Sequence, residues 1–311
     1  MLTTHPLLNV QVETFPHAHE SAEDYVATLR SALLYAKSVT LGPVHWPQSE
    51  AIMRRNRRIG CSMSGVAQFV AARGIDTLRD WCELGYAAVQ ERDAELSEWL
   101  GVPTSIKTTS IKPSGTVSLL AGATPGMHWP ESRFYIRRVR LPASSELIPA
   151  LREAGLHLEP AVEAGGGESD TLVVSFPIDS GEGVRTLSEV SMWEQLSMAA
   201  FLQRHWADNQ VSCTVTFDPD TEGPQLAHAL SYFQYQLKGV SMLPKLPGGA
   251  YEQMPYESIS EATYNELLAA LSGPVDLSQA YEVRTPLASE TMEVPDLFCD
   301  TDTCALPTRK A

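Results

Sequence analysis

The stretch Val190-Ser191-Met192-Trp193-Glu194-Gln195-Leu196-Ser197-Met198-Ala199-Ala200-Phe201-Leu202, followed by Val211-Ser212-Cys213-Thr214-Val215-Thr216-Phe217, decides the fold class. Val190, Trp193, Leu196, Ala200, Phe201 and Leu202 recur at the spacing of one apolar helix face. From Val211 to Phe217 β-branched and aromatic residues dominate, which suits a strand. A helix handing over to a short β-rich run is the unit of an α/β fold. The alternation extends both ways. Upstream, Ser21 is placed to cap a helix with Glu23 and Asp24 in its first turn; Tyr25, Val26, Leu29, Ala32, Leu33 and Ala36 continue it until Gly42-Pro43. A second helical pattern fills Leu78 to Leu100, with Trp81, Leu84, Ala88, Leu96 and Leu100 on one side. Thr171 to Phe176 reads as a strand stopped by Pro177. Pro224 to Leu237 predicts a helix, and Ser260 predicts another N-cap with an Ile259/Tyr264 staple. Gly165-Gly166-Gly167 marks a loop tip. After Leu271 an acidic, Pro-interrupted tail runs to Ala311, and mobility is expected of it.

The chain has 311 residues, enough for one large domain or two ordinary ones. With 43% hydrophobic and 20% charged residues it predicts a packed core and excludes global disorder. No apolar run approaches the ~20 residues of a membrane helix, and Met1 to Val12 lacks the features of a signal peptide. A cytoplasmic protein without membrane contact is expected. Lys and Arg total 23 against 38 Asp and Glu, a net charge of -15 that repels nucleic acid and anionic membrane. A small anion in a locally basic pocket remains compatible with it. The five cysteines, Cys61, Cys82, Cys213, Cys299 and Cys304, do not form a secreted disulfide framework.

Three features carry candidate chemistry. Lys112-Pro113-Ser114-Gly115-Thr116-Val117-Ser118 combines a Pro suited to a first helical position with three hydroxyls and a Gly that admits close approach. Free N–H groups at such a turn favour phosphate; the same residues also read as an ordinary Pro/Gly turn with a helix cap. Arg54, Arg55, Arg57 and Arg58, and then Arg133, Arg137, Arg138 and Arg140, form two clusters. They read as anion sites, as buried ion pairs or as solvated faces. Cys299-Asp300-Thr301-Asp302-Thr303-Cys304 places two thiols where a small disulfide ring can close. A thiol-exchange shuttle, incidental free cysteines and half of a zinc site are the three readings, the last weakened by the lack of a nearby Cys/His pair. Cys82 and Cys213 read as core residues and Cys61 is ambiguous. His128 reads as a structural histidine or a ligand donor. No Ser/His/Asp constellation and no metal-binding motif stands in the sequence, so no metal is expected.

Taken together, several stretches resemble one family. Asn56-Arg57-Arg58-Ile59-Gly60-Cys61-Ser62-Met63-Ser64-Gly65 comes first, then Thr109-Ser110-Ile111-Lys112-Pro113-Ser114-Gly115-Thr116-Val117, Leu120-Ala121-Gly122 and Gly126-Met127-His128. Arg137-Arg138-Val139-Arg140, Asp208-Asn209-Gln210-Val211-Ser212-Cys213-Thr214 and the terminal Cys-x4-Cys follow in order. The chain resembles the C-terminal part of the catalytic chain of ribonucleotide reductases, most of all the adenosylcobalamin-dependent (class II) ribonucleoside-triphosphate reductases. The resemblance implies that Ser114, Gly115 and Thr116 hold substrate phosphates. It implies that Cys299 and Cys304 re-reduce the active site by exchange and are reduced in turn by a thioredoxin-type partner. It implies the second half of a ten-stranded α/β barrel over residues 1–271 and a mobile redox tail over 272–311. Class II rather than class I follows from the family's paired radical-relay tyrosines: Ser241-Met242-Leu243-Pro244 stands in their place, and no Tyr-Tyr dipeptide occurs in the chain.

The departures are as informative. The family's radical-bearing cysteine lies in an Asn-Pro-Cys-x-Glu stretch, and none exists here. Asn9 to Pro16 resembles the segment just after it, and Leu8 stands where the family carries a substrate-reducing cysteine. The expectation is a split or truncated reductase converting ribonucleoside triphosphates to 2′-deoxyribonucleotides with adenosylcobalamin, the radical cysteine coming from a complementary N-terminal chain. The alternative is a non-catalytic nucleotide- or phosphate-binding remnant or regulatory protein.

Overall fold

A computed structural model describes residues 10–44, 46–115, 117–162, 170–245 and 253–276. Strand β1 (Val10–Thr14) pairs in parallel with β2 (Ile59–Met63), Val10 opposite Ile59 and Thr14 opposite Met63. On the other side of β2, residues 107–111 run parallel to it: Ile59 N–H donates to the Lys107 carbonyl at 2.9 Å, and Ser110 N–H to that of Cys61 at 2.9 Å. Residues 209–213 come next, through Asn209 N–H to Thr109 O, Ser212 N–H to Ile111 O and an Ile111–Val211 parallel bridge. They lead into the strand Thr214–Phe217, which pairs in parallel with Ser241–Pro244. The expected α/β class is therefore present as a series of parallel segments. Every residue of β2 is buried, as befits a strand covered on both faces.

Helices connect these segments. Helix α1 (Ala22–Val39) starts where Ser21 accepts the Asp24 N–H, as its sequence predicts. Helix α2 (Pro47–Asn56) precedes β2. Helix α3 (Val66–Leu100) begins twelve residues before the expected Leu78, and is broken at Gly74, whose φ of 81° no helix allows. Its buried stripe is Leu78, Trp81, Cys82, Gly85, Ala88, Val89, Asp93 and Leu96. Leu84 and Leu100, expected on that side, are exposed because they fall beside the stripe. Gly85 lets α1 approach closely: an added Cβ would meet Leu29 at 2.8 Å.

The single turn α4 (Val117–Leu120) leads to β3 (Phe134–Pro142), α5 (Ile148–Glu153), β4 (His157–Pro160) and β5 (Thr171–Asp179). Next come α6 (Met192–His205), β6 (Thr214–Phe217), α7 (Leu226–Phe233), β7 (Ser241–Pro244), β8 (Tyr256–Ser258) and α8 (Glu261–Ala269). A separate antiparallel sheet has the order β4-β5-β3-β8. Pro177 does not stop β5, which continues to Asp179. Phe134 and Arg138 direct their backbone bonds to the β8 side, so Ile136, which faces Pro177, asks no N–H of it. On its other side Pro177 lies beyond the end of β4, an edge position that tolerates proline. Ser260 caps α8, but Tyr264 packs its ring on Phe134, 4.9 Å between centroids. The Gly165–Gly167 loop tip and residues 277–311 lie outside the described residues.

The main core joins Tyr25, Leu29 and Leu33 of α1, Trp81 and Val89 of α3, and Leu196 and Leu202 of α6. The same helices bury an ion pair. Lys37 Nζ, fully buried, lies 2.8 Å from Asp93 Oδ1 and donates also to Ser97, Ser105 and the Pro103 carbonyl. Asp93 accepts the Ser105 N–H at 2.7 Å, so the pair pins the 101–105 connection to α1 and α3. Burial pushes the Lys37 ammonium below its usual range, and Asp93 opposes that shift. Removing one partner leaves an uncompensated charge. Asp93→Ala should lower the unfolding free energy in urea by about 3–5 kcal/mol, and Lys37→Met with Asp93→Leu should recover most of that loss.

Candidate functional site

The Lys112–Ser118 turn follows directly from the parallel segment 107–111, at its C-terminal end. It is held from three sides. Lys112 N–H donates to Ser62 Oγ at 2.9 Å, fixing the turn to the end of β2. Ser118 N–H and Oγ both donate to the Ser114 carbonyl, closing the turn on itself. Gly126 packs against its start: with φ of 53°, a Cβ there would sit 2.3 Å from the Lys112 carbonyl. Ser64 Oγ accepts the Gly126 N–H at 2.8 Å and ties this contact to β2.

Ser114 adopts a left-handed φ of 43°, a sparsely populated conformation for a residue with a Cβ. The N–H groups of Ser114 and Gly115 donate to no acceptor among the described residues. Two adjacent unsatisfied donors beside a hydroxyl suit an oxyanion. The space beside Gly115 is open, its nearest neighbour being Tyr256 Oη, 3.9 Å from where a Cβ would stand. Pro113 does not occupy a first helical position as expected: α4 begins at Val117 and is one turn long, so backbone donors, more than a helix dipole, make the cradle. Thr116 lies outside the described residues.

Two residues at this site carry no sequence signal. Tyr256 comes from β8; its ring lies against Tyr135 and under the Arg137 guanidinium, 4.5 Å from the centroid. Glu13, near the end of β1, accepts from Ser64 Oγ at 2.6 Å. Burial pushes its carboxyl up to about 7, against the lowering effect of Ser64 and Ser62. The chain Glu13–Ser64–Gly126 thus runs from a titrating group to the backbone that supports the cradle.

The remaining candidates resolve individually. Cys61, Cys82 and Cys213 are buried free thiols, pushed up to about 12, 12 and 11 by burial, and are unreactive core groups. His128 is structural: one ring nitrogen bonds the Pro125 carbonyl and the other accepts the Thr214 N–H at 3.1 Å. The second arginine cluster is a backbone clamp. Arg137 and Arg138 bond the carbonyls of Pro255 and Met254, Arg140 bonds Gln253, and Arg138 also pairs with Glu257. The first cluster divides: Arg54 pairs with Glu50, and buried Arg57 donates to the Thr40 carbonyl. Arg58 lines a cavity taken up below. Cys299 and Cys304 lie outside the described residues.

Comparison with known proteins bears on this arrangement. The chain is 57% identical over 297 residues to a probable adenosylcobalamin-dependent ribonucleoside-triphosphate reductase of Dictyostelium discoideum, covering 95% of this chain and 38% of that protein. It is 53% identical over 293 residues to the corresponding reductase of Euglena gracilis, covering 94% and 39%. The chain belongs to the adenosylcobalamin-dependent ribonucleoside-triphosphate reductase family. It spans about two fifths of the length of the curated relatives it matches. A solved B12-dependent (class II) ribonucleotide reductase has a similar fold, with a TM-score of 0.75 and 31% identity, covering 90% of this chain and 42% of that one. No family model matches. Within a reductase family, the described part of the Ser114–Gly115 turn combines unsatisfied N–H donors with an open approach.

Glu13 gives this site a pH signature. Its pKa is raised from 4.5 to about 7 on folding, so the folded chain retains the proton more strongly. That contribution to stability is complete below the unfolded value and is lost as pH rises through about 7. Glu13→Gln should gain on the wild type by on the order of 2 kcal/mol between pH 5 and pH 8, read by urea unfolding at both pH values. A gap independent of pH would contradict the assignment.

Proposed function

We propose that this chain is the C-terminal portion of a class II ribonucleotide reductase, working with a complementary N-terminal chain to reduce ribonucleoside triphosphates to 2′-deoxyribonucleotides. The observation that carries the reading is identity of 57% sustained over 95% of the chain with one relative of that name. The parallel series of segments supports residues 1–271 as the second half of a ten-stranded barrel, with 272–311 as a mobile redox tail. A cytoplasmic location belongs to the same reading.

In this reading Ser114, Gly115 and Thr116 hold the substrate phosphates. Ser114 and Gly115 supply N–H donors to the oxyanion, and the Ser114 hydroxyl adds a third. Cys299 and Cys304 carry electrons. The two thiols pass two electrons and two protons to the active-site disulfide and become a disulfide themselves. A thioredoxin-type dithiol then restores them. The triphosphate charge falls in a turn of an otherwise acidic molecule, so recognition is local.

Adenosylcobalamin, when bound, supplies the radical that starts reduction.

Ser114→Ala should weaken ribonucleoside-triphosphate binding about tenfold by calorimetry, the scale of one charge-assisted hydrogen bond. Unchanged affinity would remove the cradle from the reading. In the complete enzyme, Cys299→Ser or Cys304→Ser should restrict a thioredoxin-type reductant to a single turnover without altering triphosphate affinity. Sustained turnover in both variants would remove Cys299 and Cys304 from the electron path.

A further inference from the structure

A second cationic site lies along the parallel segments, its lining reaching from Lys107 to Lys112. Arg58 immediately precedes β2, Lys107 begins the segment 107–111, and Lys238 closely precedes β7. These three side chains and Lys112 line one cavity of about 230 Å³. None of the four forms an ion pair among the described residues. Asp208 is the one carboxylate in the lining among the described residues, and Lys238 Nζ donates to the backbone carbonyls of Asp208 and Asn209 at 2.5 and 3.2 Å. The two Asp208 carboxylate oxygens accept the Thr108 and Thr109 N–H groups at 3.1 Å and the Thr108 hydroxyl at 3.2 Å.

The lining also holds polar groups left without partners. Ser110 is fully buried, and its Oγ has no hydrogen-bond partner among the described residues. It lines the cavity because Gly60 opposite has no side chain; a Cβ there would stand 2.7 Å from that oxygen. Arg58 Nε is likewise buried with no partner among the described residues, a condition it shares with the Nε of Arg57, Arg92, Arg137 and Arg138. Buried polar groups are normally satisfied, and groups that are not call for a ligand. Partial burial, then Lys107, hold the Lys238 ammonium below its usual range; Asp208 opposes the shift and Arg58 adds to it, so these charges are close enough to interact. In a chain of net charge -15, four cations share this lining with one carboxylate among the described residues, an excess of positive charge that an anion would balance.

We propose that this cavity is a second anion site that takes the phosphate or pyrophosphate group of a small ligand, distinct from the Ser114 and Gly115 donors although Lys112 opens the same turn. Arg58 and the three lysines neutralise the anion, and Ser110 Oγ–H donates to it. A larger neighbouring cavity shares Lys107 and Lys238 and is lined by Tyr86 and Tyr235, leaving room for the rest of a phosphate ester. The inference does not depend on the reductase reading.

The test is lysine protection in the full chain. Acetylation rates of Lys107, Lys238 and Lys245 are followed by peptide mass spectrometry, with inorganic pyrophosphate or with chloride at equal ionic strength. Saturating pyrophosphate should slow Lys107 and Lys238 about tenfold and leave Lys245 unchanged. The same protection should persist in Ser114→Ala, which separates this site from the cradle. Equal rates in pyrophosphate and chloride, slowing of all three lysines alike, or loss of protection in Ser114→Ala would each overturn the proposal.

Discussion

The fold depends on a clasp made by Asp208 and Asn209 just before the segment that leads into β6. The Asp208 carboxylate accepts the N–H groups of Thr108 and Thr109, and Asn209 Nδ2 donates at 2.8 Å to the carbonyls of both Ile59 and Thr109. Thr109 Oγ1 returns a bond to the Trp206 carbonyl, and Trp206 Nε1 donates to Ser110 O. Three parallel segments distant in sequence are thereby set in register by side chains rather than by hairpins. Parallel neighbours have no tight turn to fix their alignment, so such a device is needed. Buried backbone groups at the segment starts are satisfied by the same bonds.

Register has consequences at both ends. At the C-terminal end it brings Ser62 and Ser64 of the β2 exit beside the Lys112–Ser118 turn, where they hold Lys112 and Gly126. Without that support the left-handed Ser114 has nothing to offset its strain. At the N-terminal end it brings Arg58, Lys107 and Lys238 together around one cavity. The same alignment thus positions an oxyanion cradle and gathers positive charge around a cavity that Lys112 shares with it.

Much of this was legible in sequence, for physical reasons that differ by residue. The caps at Ser21 and Ser260 are local and were read directly. The Ser114–Gly115 turn was legible as a combination of hydroxyl, glycine and proline, yet the absence of a long helix behind it was not. Pro177 misled because a proline ends a central strand but not an edge position, and sequence does not show which edge is open. Leu84 and Leu100 misled because an apolar period leaves the exact width of the buried stripe undefined. Glu13 and Tyr256 were invisible, since their importance comes from burial and from a distant β8. Asp208-Asn209 carries no local signal of a clasp, because its partners Ile59, Thr108 and Thr109 are distant in sequence.

The proposed function makes this chain one half of a reductase. The direct measurement mixes the purified chain with a purified chain carrying the family's Asn-Pro-Cys-x-Glu stretch and follows conversion of a ribonucleoside triphosphate in the presence of adenosylcobalamin and a dithiol. The account predicts a stable complex that forms 2′-deoxyribonucleotide only when both chains and the cobalamin are present. A stable complex without product, or no complex at all, would contradict it.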